Sequence, residues 1–230
     1  MKRWTRWVSV CLGLSAAGCV AEPVGEPGIE VTDEIDGTGV AELGGSSGQC
    51  GTTVLFDEDF ADNAAGWTLG TGWQIGPATT STCQTAGSPD PSSDHTPTAG
   101  NGVAGVYIGG CPPLAASTFP YHSMTSPPIN ADVNGSVNLS FWRWLNTTGR
   151  NHVKIEVFDG AAWVMLYQSP LGVTGNVLDS SWKNLTYDLT PYRNPNLRVR
   201  FSWRVVVYYG GWYTSGWNLD DLQVTTEVCP

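Results

Sequence analysis

Three histidines, His95, His122 and His152, are the chain's whole supply of side chains that shuttle protons near neutral pH. None stands in an H-E-x-x-H run or beside a spaced second histidine, so the familiar zinc-hydrolase pattern is missing. Serines are plentiful, but their spacing assembles no triad. Asp220 and Asp221 have the residue type for glycoside hydrolysis, yet an extended strand aims neighbours at opposite faces. No catalytic residue is assigned, and a hydrolase is the weakest functional reading. The chemistry left is binding. Tyr208, Tyr209, Trp212, Tyr213 and Trp217 are interleaved with glycines in a loop, where rings would stack on sugars, anchor a protein partner, or close the open end of the fold. Arg198, Arg200 and Arg204 offer a second surface, either attracting an acidic glycan or stacking on neighbouring tryptophans.

The elements that must carry these residues are strands. Apolar residues alternate with polar ones in 197–204, with the arginines on one face, and again in 153–157 and 137–141. Turn signals separate the runs at Asn134-Gly135, Asp159-Gly160, Asn194-Pro195 and Gly210-Gly211. After residue 50 no helical period persists free of Gly and Pro. The pattern is an all-β, two-sheet sandwich. Nine tryptophans follow the leader, too many for one binding face, and most are expected in the core.

The ends define the organisation. Met1 to Trp7 carry three positive charges, and 8–17 is apolar and too short to span a membrane, which reads as a signal peptide over 1–18. Ser15-Ala16-Ala17-Gly18-Cys19 resembles a bacterial lipobox, although a cut after Ala21 by the ordinary peptidase would release a secreted protein. Lipid on Cys19 would be the sole membrane attachment, and Val20 after it favours the outer membrane. Residues 19–49 hold seven acids and no base and end in Gly44-Gly45-Ser46-Ser47-Gly48, the composition of a flexible tether. Residues 50–230 then form one domain. The chain's net charge of −10 falls to −13 once Lys2, Arg3 and Arg6 leave with the signal, which argues against nucleic acid as a partner. Cys50, Cys83, Cys111 and Cys229 admit three disulfide pairings; Cys50–Cys229 with Cys83–Cys111 is preferred because the first would clamp the domain ends. Asn-x-Ser/Thr triplets, among them those at Asn138, Asn146 and Asn184, are incidental in a bacterial protein.

Several landmarks occur in order: Phe60 and Asp62, Gly66-Trp67, Gly72-Trp73, Asp94-His95-Thr96, Gly105-Val106-Tyr107, Ser126-Pro127, Leu139 to Trp142, Trp163, Trp182, Val199 to Phe201, and Leu219-Asp220-Asp221-Leu222. This succession resembles the MAM domain and related sandwich modules of myxobacterial-type envelope proteins. The resemblance implies an antiparallel jelly roll, concanavalin-like in architecture, with an adhesive role and a protein partner at the cell envelope. The alternative is a module that binds a surface polysaccharide. It further implies a structural cation where the first and last strands meet, with Asp59 or Asp62, Asp94 and Asp221 as candidate calcium ligands, since calcium takes six to eight oxygens. Against that, Asp94 would equally cap a turn with Thr96, and Asp220 would hydrogen-bond loop amides.

Overall fold

In 198–205, Val199, Phe201, Trp203 and Val205 are buried while Arg198, Arg200 and Arg204 stay partly exposed. That alternation is what an extended strand does when one face meets a core. The computed structural model describes residues 50–113, 120–149, 151–170, 175–206 and 213–229. The leader, Cys19 and the acidic tether lie outside them, as do Tyr208, Tyr209 and Trp212.

The strands are β1 Gly51–Glu58, β2 Thr68–Leu69, β3 Trp73–Pro77, β4 Gly102–Val106, β5 His122–Thr125, β6 Ser136–Thr147, β7 Asn151–Phe158, β8 Trp163–Gln168, β9 Val177–Leu178, β10 Lys183–Asp188, β11 Arg198–Val205 and β12 Trp217–Val228. A single 3-10 turn, Thr190–Tyr192, is the helical element among the described residues, and no helix there is long and apolar enough to cross a membrane. One sheet runs β10-β6-β12-β4-β3, with β1 on β12 and β9 on β6; the other runs β2-β5-β11-β7-β8. Every pairing is antiparallel. The two sheets form the expected all-β jelly-roll sandwich.

Between the sheets, Phe141 of β6, Phe201 and Trp203 of β11, and Leu219, Leu222 and Val224 of β12 are at most 2% exposed. Trp217 lies between Trp73 and Phe201, 5.6 Å from each ring. Disulfides join Cys50 to Cys229 and Cys83 to Cys111. The first ties the start of β1 to the end of β12, which already pair along their length.

Two expectations need correcting here. Trp67, Trp73, Trp203 and Trp217 are core, but Trp142, Trp144, Trp163 and Trp182 are only half-buried, because they stand on outward positions of their strands or at strand ends. Asp220 and Asp221 do not point to opposite faces either. The register of β12 against β6 slips between Asp220 and Gln223, and Asp221 has φ 45°, so a bulge turns both carboxylates toward one loop.

Candidate functional site

The outward face of the five-stranded sheet is built from the polar half of each alternating strand. Register places Arg204 beside His152, Ser202 between Ser123 and Lys154, Arg200 between Thr125 and Glu156, and Arg198 beside Phe158. On β8, Met165 follows Glu156 and Trp163 follows Phe158. Three of the chain's 11 lysines and arginines belong to the leader; of the other eight, four stand here. Glu156 is the single carboxylate on the strands of this sheet. A strongly acidic protein thus carries one cationic face.

Rings and one carboxylate hold three of those cations in place. Arg200 donates through Nε and Nη2 to both oxygens of Glu156, at 2.8 and 3.0 Å, and its guanidinium lies 4.1 Å from the centre of the Trp163 ring. Lys154 donates to Glu156 at 3.2 Å and also sits 4.2 Å from the centre of Tyr121, where Arg204 approaches to 4.4 Å. Cation–ring contacts of this kind cost little desolvation and keep the charge displayed. Burial works against ionisation of Glu156, but the bonds from Arg200 and then Lys154 outweigh it and hold its carboxyl below the usual range. Burial lowers the His152 imidazole, and the Arg204 charge lowers it further. Arg198 and Arg204 take part in no ion pair among the described residues, and the Nε of each is buried without a hydrogen-bond partner there.

The outward face of the other sheet is occupied differently. The long connection between β3 and β4 folds over it, and His95 stacks on Trp142 with ring centres 3.6 Å apart. The bulge of β12 is the anchor: the His95 amide donates to Asp220 Oδ2 at 2.6 Å, and Asp221 Oδ2 bonds His95 Nδ1 and accepts from Thr96 Oγ1, both at 2.6 Å. Asp94 accepts from the amide and hydroxyl of Thr98. Asp220 is 1% exposed, and burial, reinforced by the neighbouring Asp221 and Asp94, pushes its carboxyl up to about 7 despite the two amides it accepts from. Asp90, a buried residue of that connection, also rises to about 7 through desolvation, against bonds from Asn218 and the Gly109 amide. Trp144 donates to the Pro89 carbonyl, which fixes another part of the connection.

Of the candidate calcium ligands, Asp94 and Asp221 approach this cluster. Asp59 and Asp62 do not join it, and each caps a backbone amide two residues on. Among the described residues no group of three or more His, Cys, Asp or Glu side chains is placed to hold a metal ion. Among the ring candidates, Tyr213 is 38% exposed, and its carbonyl accepts from the Thr85 and Ala86 amides. Trp217 is 1% exposed, because it opens β12 and points between the sheets. It belongs to the core and not to a binding loop. Tyr121, Lys154 and Glu156 complete the cationic face and were not singled out from sequence. Their signal was present in the alternation of 153–157, whereas Tyr121 precedes a short strand with no pattern of its own.

The sequence matches no protein-family model and no curated protein. Several solved structures are similar to it. A carbohydrate-binding module, TmCBM61, in complex with β-1,4-galactotriose is 12% identical, over 73% of this chain and 97% of that one, at TM-score 0.41. The K1 cleaved adhesin domain of Lys-gingipain from Porphyromonas gingivalis is 16% identical, over 76% and 97%, at 0.43. The CBM22-1 xylan-binding domain of Xyn10C from Paenibacillus barcinonensis is 15% identical, over 80% and 97%, at 0.39. At this distance they assign no residue of this chain a role.

Proposed function

We propose that the protein is a non-catalytic carbohydrate-binding module, displayed at the bacterial surface by lipid on Cys19, and that the outward face of the five-stranded sheet is its glycan site. The observation that carries this reading is the make-up of that face. It offers guanidinium, ammonium, hydroxyl and amide donors on rigid strands, with Trp163 and Tyr121 among them, and Met165 is its one prominently exposed apolar side chain, at 57%. A protein-docking surface has an apolar centre inside a polar rim. Among the described residues the exposed large apolar side chains, Val54, Leu69, Met165, Leu178, Tyr213 and Val228, are scattered over separate elements. That distribution favours the polysaccharide reading over the protein-adhesion reading drawn from sequence. The two disulfides suit an oxidising compartment outside the cytoplasm.

A glycan array probed with the full-length protein tests the proposal. Binding should be lost in the Tyr121→Ala/Trp163→Ala double variant and kept in Trp182→Ala, which alters the other sheet. Capture of an envelope protein with no glycan bound by wild type would instead support adhesion to a protein.

A further inference from the structure

The spacing and commitment of the cations on this face say more than that it binds a glycan. Two of the four, Arg200 and Lys154, are engaged by Glu156. The other two, Arg198 and Arg204, have no carboxylate partner among the described residues; the Nε of each is buried without a hydrogen-bond partner, while the residues themselves stay partly exposed. They lie six residues apart on β11, on the same face, so their Cα atoms are separated by about 20 Å at the rise of an antiparallel strand. That span exceeds one sugar ring. Arginine presents a planar fork of donors that matches a carboxylate, and the Arg200–Glu156 pair shows that geometry within this face.

We propose, building on the glycan-binding reading, that the ligand is a carboxylate-bearing polysaccharide, a polyuronate, laid along β11 with its carboxylates on Arg198 and Arg204. Charge density separates this ligand from nucleic acid. Duplex DNA carries one charge per roughly 1.7 Å, far denser than cations spaced along one strand can match. A polyuronate has at most one charge per sugar. At physiological salt the Debye length is about 8 Å, so the distant acids of the domain are screened while cations in contact with the ligand are not. The strands make the site rigid: β11 is bonded on both sides, by β5 and β7, and Ser123 and Ser202 join across its floor at 2.8 Å. The strands that carry the cations are therefore fixed before the polymer arrives, and little backbone ordering opposes binding.

The test uses the full-length protein in affinity electrophoresis through gels containing polygalacturonate, the same polymer with its carboxyls reduced, neutral galactan, or duplex DNA. Polygalacturonate should retard wild type at 50 mM salt and lose most of its hold at 500 mM, and the carboxyl-reduced polymer should retard it at least tenfold less. Arg198→Gln/Arg204→Gln should weaken polygalacturonate binding about tenfold or more, as expected when charge-assisted hydrogen bonds are lost. Far-ultraviolet circular dichroism and an unchanged melting temperature would show that this variant folds. Equal, salt-insensitive binding of the charged and reduced polymers would overturn the polyuronate assignment and leave the glycan module standing. Equal retardation by DNA would overturn it as well, in favour of a general polyanion surface. Failure of wild type to bind any of these polymers would remove the polyuronate assignment, and the glycan array then decides separately whether the module reading stands.

Discussion

Asp220→Asn is the perturbation whose outcome follows most directly from the cluster at the β12 bulge. The Asp220 carboxyl titrates at about 7 in the folded domain, against an ordinary value of 3.8, chiefly because it is buried. The folded pKa is raised, so the associated stability is complete below about pH 3.8 and is lost as pH rises through 7. Within that window the folded state keeps a proton that the unfolded chain has released, and stability declines by about 1.4 kcal/mol per pH unit. Integrated over the window, the effect is about 4 kcal/mol, a large part of a typical domain's 5–15 kcal/mol. Asp90 acts with the same sign over the same range, whereas His152, lowered by burial, acts with the opposite sign. The variant isolates one group from that mixture. Asparagine offers one carbonyl oxygen where Asp220 accepts the His95 and Asp221 amides, a cost of about 1–3 kcal/mol that does not vary with pH. Urea unfolding of both proteins at half-unit steps from pH 5 to 8 gives the difference in stability. It should move in favour of Asp220→Asn by about 2–3 kcal/mol between pH 5 and 7 and then level off. A difference that stays flat would refute the reasoning. So would a wild type that calcium stabilises and EDTA weakens while the variant responds to neither, because Asp220 would then be ionised against a cation, close to the calcium ligands implied by the MAM resemblance.

Other outcomes follow from the same geometry. Replacing Cys50 and Cys229 by serine opens a closure of 179 residues and should lower stability by about 5 kcal/mol in chemical unfolding. Trp142→Ala removes the ring under His95, so the connection between β3 and β4 should become the first site cut by a non-specific protease, with a stability loss of about 2 kcal/mol. Glu156→Gln leaves Arg200 and Lys154 without a carboxylate. It should cost about 3 kcal/mol by thermal or urea unfolding and yet tighten polygalacturonate binding in the gel assay.

Periodicity made the sandwich legible in the sequence. In 197–204, 153–157 and 137–141 the apolar members of the alternation, among them Val199, Phe201, Ile155 and Phe141, are buried at 0% exposure, as a sheet with one covered face requires. The arginines on the opposite face were legible for the same reason. What periodicity cannot show is an extra residue. The bulge at Asp221 depends on a positive φ and on a loop more than a hundred residues away in sequence, so the gathering of Asp220 and Asp221 on His95 was hidden. Trp217 misled because glycines on its N-terminal side read as loop, while the residue itself already faces the core as β12 begins. Glu156 looked like an ordinary polar position of a strand. Its part in restraining two cations appears only when β7 is set beside β11.

The most direct test of the glycan face is arginine modification by phenylglyoxal, read by mass spectrometry, with and without saturating polygalacturonate oligomers. Arg198 and Arg204 should be protected by the oligomer while Arg193, which bonds the Val133 and Gly135 carbonyls, reacts as before. Unchanged labelling of Arg198 and Arg204 at saturation, with binding demonstrated in the same sample, would place the glycan elsewhere and contradict it.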